Sequence, residues 1–384
     1  MNFRKTATIV NSDWCPCNVH TFEPDSSPEI CLLEEKPIKG MIQRRFSIVE
    51  HPIRCLNVPP GAGGSLHLRR ILTNSEAGEV FGAELSTVLM WEKRMIISAS
   101  DMALIKIWEE KEPDVVKVLK GHYIGWVNPI VVGVSTDGKR IVSGGEDGVV
   151  RVWNLRDMES LTLFGLNKAV HCVKFRWDGK GILFGSSDGT VTMWSWESAE
   201  EAQRLKVYRC HEVHVYAIAE RVDGSLIATG GGDGAIRLWG MRGGRMYKEK
   251  ELLLPGSFDV HALCFSGDGR LLAFGLSDGH VGLWNTEGDI IRVISVGEIG
   301  VGGVGINPVD DRVVYGLFDG RLGIWDWRGS KIKSSGGHDA GIWSVVFDRG
   351  GEVLVTGGAD ESVRIWDASL WGRGETRKRK EERR

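Results

Sequence analysis

VHALCFSGDGRLLAFGLSDGHVGLW, residues 260–284, holds three alternating apolar runs separated by two Asp-Gly turns, and the third run ends in tryptophan. Period-two alternation places successive side chains on opposite faces of a strand. Asp-Gly between such runs is the strongest short-range signal for a hairpin. The stretch therefore encodes three antiparallel strands. The segment between one such unit and the next, such as VVKVLKGH at 115–122, reads as a fourth.

The unit recurs. Tryptophans 108, 153, 194, 239, 284, 325 and 366 close the runs LIKIW, VVRVW, TVTMW, AIRLW, HVGLW, RLGIW and SVRIW, at gaps of 45, 41, 45, 45, 41 and 41 residues. A fixed period in this range marks one supersecondary unit copied and stacked. A single four-stranded sheet cannot bury both faces, but sheets arranged radially cover one another and leave only short edges. The predicted fold is all-β, a seven-bladed propeller over 61–370, with an arm of uncertain structure at 1–60 and a disordered basic tail at 371–384. SLHLRRIL (65–72) is expected to supply the outer strand of the last blade, because the chain after Trp366 is short and charged. A partial eighth blade from 40–72 is the alternative. ESAEEAQRLK (197–206) is the one helix-like insert.

The 384 residues are 42% hydrophobic with a net charge of −3, so no global field draws the molecule to nucleic acid or membrane. The cysteines at 15, 17, 31, 55, 172, 210 and 264 are odd in number and irregular in spacing, which favours a reducing compartment over secretion. No apolar run reaches membrane-spanning length and no signal peptide stands at the start. The expected location is cytoplasmic, nuclear or both. The tail basic run Arg377, Lys378, Arg379 and Lys380 is a candidate import signal or nucleic-acid contact, or a solubilising end.

These copies resemble the WD-repeat (β-transducin repeat) family of β-propellers. Gly-His stands at Gly121-His122 and Gly337-His338, with Cys210-His211 a near match, and Trp-Asp at Trp325-Asp326 and Trp366-Asp367. The turn aspartate six residues before Trp is present in six copies, at Asp147, Asp188, Asp233, Asp278, Asp319 and Asp360. The resemblance implies a buried hydrogen-bonded set of His, Ser/Thr, Asp and Trp. Three copies carry it whole: His122, Ser143, Asp147 and Trp153; His211, Thr229, Asp233 and Trp239; His338, Thr356, Asp360 and Trp366. Other copies place Phe184, Phe274 and Tyr315 where the hydroxyl would stand. GHYIGWV (121–127) and MIISAS (95–100) are similar to blades of the receptors for activated protein kinase C and the related G-protein beta-like scaffolds, although the blade order and the N-terminal arm depart from that pattern.

The same resemblance places the residue after each first-strand opener, and the residue before each turn aspartate, on the narrower face around the central channel. The first group is His171, Tyr216, His261, Gly302 and Trp343; the second is Glu146, Ser187, Gly232, Ser277, Phe318 and Ala359. His171, Tyr216, His261, Phe318 and Trp343 are the candidate partner-binding residues, since aromatic anchors on a rigid face are typical binding hot spots. A mere plug of the channel mouth is the alternative.

Catalytic readings are weaker. Ser/Thr, His and Asp occur together three times, in phase, whereas a hydrolase needs one triad. GVGGVG (300–305) mimics a dinucleotide loop but no helix follows it, and GAGG (61–64) lacks the Lys-Ser/Thr of a phosphate loop. Cys15, Cys17, His20 and Cys31 lack the second tight pair of a zinc site. The expectation is a non-catalytic scaffold or adaptor in a multi-subunit complex. It would hold a peptide or loop of a protein partner, with no cofactor, no metal and no small-molecule substrate. Alternatives are a subunit of a nuclear RNA-processing or chromatin complex and a hydrolase using one of the Ser/Thr-His-Asp sets.

Overall fold

The computed structural model describes residues 31–38, 41–47, 67–73, 80–87, 94–100, 104–109, 115–122, 130–157, 159–165, 168–196, 205–254, 258–328 and 331–369. The chain divides into two compact units, 1–54 and 55–384. In the first, Cys31–Ile38 and Met41–Ser47 form an antiparallel hairpin. Most of the helix-like insert, and all of GAGG, Cys15, Cys17, His20 and the basic tail, lie outside the described residues.

The described residues of the second unit form seven four-stranded antiparallel sheets and no helix. In chain order the blades occupy 80–120, 130–165, 170–209, 215–253, 260–295, 301–336 and 342–367, the last completed from elsewhere. Each is a meander running from an inner strand to an outer one. The inner strands touch one another in a closed cycle, the seventh returning to the first. His67–Thr73 pairs antiparallel with Ser362–Asp367 as the outer strand of the seventh blade, so residues from opposite ends of the chain share one sheet. The described residues form seven blades, and the eighth-blade alternative fails.

The core is divided in the same way. Seven clusters of buried apolar residues each draw on two adjacent blades. The closest approach recurs at one place. The opening residue of an inner strand, Val170, Val215, Val260, Val301 or Ile342, is almost wholly buried. Its methyl groups lie over a glycine in the second strand of the preceding blade, respectively Gly144, Gly185, Gly230, Gly275 and Gly316. A Cβ at Gly275 would stand 2.5 Å from Cγ1 of Val301, and one at Gly185 2.7 Å from Cγ1 of Val215. No side chain fits there, which is why Gly recurs in strands that otherwise favour branched residues.

Each repeat closes on its tryptophan. In the seventh blade the indole N–H of Trp366 donates to Thr356 Oγ1 at 2.9 Å, Thr356 Oγ1 lies 2.7 Å from His338 Nε2, and His338 Nδ1 lies 2.7 Å from Asp360. The corresponding distances are 3.0, 2.8 and 2.7 Å for Trp239, Thr229, His211 and Asp233, and 2.8, 2.7 and 3.0 Å for Trp153, Ser143, His122 and Asp147. Donors and acceptors run one way: indole N–H to hydroxyl, hydroxyl proton to Nε2, Nδ1–H to carboxylate. Burial opposes ionisation of Asp233, but hydrogen bonds from His211 and Arg237 outweigh it and hold the carboxyl down at about 2. In the first blade the described residues show the inner half of this chain, Trp108 donating to Ser98 at 2.8 Å. Where Phe274 and Tyr315 replace the hydroxyl, each ring covers the glycine paired with it on the third strand, Gly282 and Gly323. Packing replaces the polar chain, and the Trp284 indole N–H is left without an acceptor.

Two tests follow from these contacts. Gly275→Val forces a branched side chain onto Val301 and is expected to cost about 1–3 kcal/mol; Gly336→Ala, where an added Cβ meets nothing within 4 Å, leaves the melting temperature unchanged. His338→Ala and Thr356→Val each strand a buried partner, at about 1–3 kcal/mol. Because both act on one hydrogen-bonded chain, the double variant loses less than the sum in urea titrations.

Candidate functional site

The inner strands carry a local irregularity that builds a surface. In five blades the register between first and second strands slips immediately after the opener, skipping His171, Tyr216, His261, Gly302 and Trp343. Each is the extra residue of a β-bulge. A bulge bends its strand and re-aims the unpaired residue, so the opener is buried between blades while its neighbour leaves the ladder. In the first blade the skipped residue is Phe81. The second blade's ladder starts at Ile130 without a slip, and Asn128 lies outside the described residues.

A second backbone contact brings in the residues before the turn aspartates. The N–H groups of Ser187, Gly232, Ser277, Phe318 and Ala359 donate to the carbonyls of Ala169, His214, Asp259, Gly300 and Gly341, at 2.9, 2.9, 3.0, 3.0 and 2.7 Å. Residues more than a dozen positions apart in sequence thus share one rim.

The rings on this rim are contiguous. His171 lies 5.3 Å from Tyr216, Tyr216 5.1 Å from His261, His261 5.5 Å from Phe318 and Phe318 4.6 Å from Trp343, centroid to centroid. His214 joins the arc, 5.3 Å from His171 and 5.4 Å from Tyr216. All six are half-buried. The five aromatic and imidazole residues singled out from sequence are therefore neighbours across five blades. His214 and Asp259 had not been singled out. Both precede an opener, and the period of the repeat assigns that position as well as the one after it.

Phe318 spans the sixth blade because that blade offers glycine at both rim positions. A Cβ on Gly302 would stand 2.7 Å from the Phe318 ring, and one on Gly300 2.8 Å from it. A Cβ on Gly303 or Gly305 would stand 3.0 or 3.2 Å from the backbone of the seventh blade's inner strand. GVGGVG is thus an inner strand, Val301–Ile306, emptied of side chains for a ring and a neighbouring strand.

The arc is nearly uncharged. Burial, and then the proximity of His214, pushes the His171 imidazole down to about 4. Burial also lowers His261, against the pull of Asp259, and burial with the Asp259 charge raises the Tyr216 phenol. The ring nitrogens His171 Nε2 and His214 Nδ1 are buried without a hydrogen-bond partner among the described residues. Burial thus keeps the His171 and His261 rings neutral near pH 7, and a neutral imidazole offers both a donor and an acceptor.

Reactive groups elsewhere are sequestered. The hydroxyl-bearing residues of the three Ser/Thr-His-Asp sets, Ser143, Thr229 and Thr356, are 0% exposed, out of reach of a substrate. Burial pushes the Cys172 and Cys210 thiols up to about 12, far from the thiolate a nucleophile requires. Among the described residues no helix is long and apolar enough to cross a membrane.

Comparison with known proteins agrees with this architecture. The WD domain, G-beta repeat, matches residues 113–154, 159–195, 202–240, 249–285 and 329–367, just over half of the chain. Nuclear distribution protein nudF of Emericella nidulans is 35% identical over 81 residues, 21% of this chain and 18% of nudF. Human WD repeat-containing protein 37 is 30% identical over 70 residues, 18% of this chain and 13% of the relative. MST50-interacting protein 11 of Pyricularia oryzae is 30% identical over 81 residues, 21% of this chain and 25% of the relative. These matches span a quarter or less of each relative's length. With the repeat matched across most blades and the ring of seven sheets closed, the chain belongs to the WD domain, G-beta repeat family.

Proposed function

We propose that this propeller is a non-catalytic scaffold that holds a peptide or loop of a protein partner on the aromatic arc. The observation that carries the reading is the continuity of the six half-buried rings across five blades. Rigid aromatic residues desolvate at small entropic cost, and interface energy concentrates on them. His171 Nε2 and His214 Nδ1 are buried without a hydrogen-bond partner among the described residues. A plug would satisfy its own polar atoms instead. The name of MST50-interacting protein 11 describes a protein that acts by association, in keeping with a binding role here.

The test is affinity purification with mass spectrometry on wild type, Trp343→Ala and Phe318→Ala. Partners held on the arc are depleted in both variants at unchanged melting temperature; an unchanged partner set removes the reading.

The neutral imidazoles give a second handle. His171 titrates at about 4 in the fold against an ordinary 6.5, so between these values the unfolded chain binds the proton and the folded chain does not. Stability therefore rises with pH across that window and is lost as pH falls toward the folded value. The melting temperature is expected to drop on going from about pH 7 to about pH 5, and His171→Phe flattens part of that slope. A steeper slope in the variant would count against burial as the cause.

A further inference from the structure

Beside the fourth blade's bulge the arc is interrupted by a notch. Gly232 has no side chain, and a Cβ placed there would stand 3.1 Å from Val213 Cγ2, 3.3 Å from the Tyr216 ring and 3.4 Å from Asp259 Oδ1. The notch is thus walled by an aliphatic group, an aromatic edge and a carboxylate. Val213 is 43% exposed, and Gly232, Tyr216 and Asp259 are half-buried, so the opening faces solvent.

The carboxylate of Asp259 has no counter-charge. Among the described residues no hydrogen bond or ion pair reaches it; its backbone N–H donates to Ser277 Oγ, which fixes the residue without using the side chain. Cations on the neighbouring turns are already engaged. Arg237 pairs with Asp233 and Glu251, each at 2.6 Å, Arg321 with Asp319 at 2.7 Å, and Arg364 with Asp339 and Asp360, each at 2.9 Å. The His171 and His261 imidazoles, both lowered by burial, supply no positive charge at neutral pH. Among the described residues the Asp259 carboxylate thus stands without a counter-charge at the edge of an aromatic surface. A cation over an aromatic face, with a carboxylate in reach, combines two attractions that strengthen as water is excluded. The methylene stem of a long basic side chain also needs an apolar wall, and Val213 provides one.

We infer that the notch formed by Gly232, Val213, Tyr216 and Asp259 receives a lysine or arginine side chain of the bound peptide. The inference rests on the arc being a peptide-binding face and adds the chemistry of the occupant. Acidic and purely apolar side chains are disfavoured there, the first by Asp259 and the second because it would bury that carboxylate unpaired.

The test uses the full chain and a phage-displayed random peptide library as probe, with selections on wild type, Asp259→Asn, Gly232→Val and the Phe318→Ala/Trp343→Ala double variant. Melting temperatures of all four are recorded. The expected result is a wild-type motif with one fixed basic position. Asp259→Asn loses that preference and lowers affinity for the enriched peptide about tenfold. Changing the basic residue of that peptide to Gln gives the same loss on wild type and no further loss on Asp259→Asn. Gly232→Val, which fills the notch without touching the charge, weakens the same peptide. Enriched peptides that need Phe318 and Trp343 but carry no basic position overturn the notch and leave the face standing. Peptides indifferent to Phe318 and Trp343 overturn both, and so does a library that yields no binder. Should Asp259→Asn melt early, Asp259→Ser replaces it and is read in the same way.

Discussion

Blade spacing is set where a branched methyl group meets a bare backbone. Val170, Val215, Val260, Val301 and Ile342 each sit over a glycine of the blade before, and this approach recurs around the ring. A β-sheet normally packs on another at about 10 Å; removing the side chain on one side brings the inner edges closer than the outer ones. The sheets then converge toward the axis and splay outward. The converging ends leave little room for a core of their own, so apolar burial is shared among seven interfaces. No single blade is stable alone, because each owns only half of two of those interfaces. Pairing His67–Thr73 with Ser362–Asp367 is therefore an energetic requirement: the ring has one seam, and ladder hydrogen bonds close it.

The same junction creates the surface. Burying the opener while the next side chain points out of the ladder demands an extra residue in the first strand, and the slip is observed at that residue in blade after blade. Structural burial and surface display are thus assigned to adjacent residues by one bulge. The opener is constrained to be branched and apolar. The bulge residue is constrained only to be compatible with a rim, which leaves it free to be His, Tyr, Gly or Trp. Variation concentrated at such positions lets one scaffold carry different faces without altering its core.

Much of this was legible in the sequence because it is periodic. Trp366, Thr356, Asp360 and His338 stand at offsets repeated by Trp239, Thr229, Asp233 and His211, and a repeated offset can be read without coordinates. The arc was legible only through the family resemblance, which assigns its residues by distance from an opener or from a turn aspartate. What escaped was whatever depends on two copies at once. Nothing in GVGGVG announces that Phe318, more than a dozen residues later, needs Gly300 and Gly302 empty. Nothing in GLSDG predicts that the Phe274 ring covers Gly282. His214 and Asp259 escaped differently: their position lies outside the strand alternation, so the pattern that marked Tyr216 and His261 passed over them.

The division of labour among blades bears on how such a chain tolerates change. Three blades use the full indole, hydroxyl, imidazole and carboxylate chain, one shows Trp108 and Ser98 among the described residues, and others substitute an aromatic ring. A buried polar chain favours one geometry, since any departure strands a donor or acceptor. An aromatic ring over a glycine favours the same strand spacing by volume alone. The two solutions hold the third strand at the same register against the second, yet they respond differently to the surroundings. The polar chain weakens when its carboxylate is protonated, whereas the packed version depends on no carboxylate. Blades of both kinds in one ring therefore leave the rim supported under conditions that strain either alone. Phe318 and Trp343 illustrate this at the arc itself. Phe318 belongs to the blade that packs Tyr315 on Gly323, Trp343 to the blade that carries His338 and Asp360, and the rings meet at 4.6 Å across that boundary.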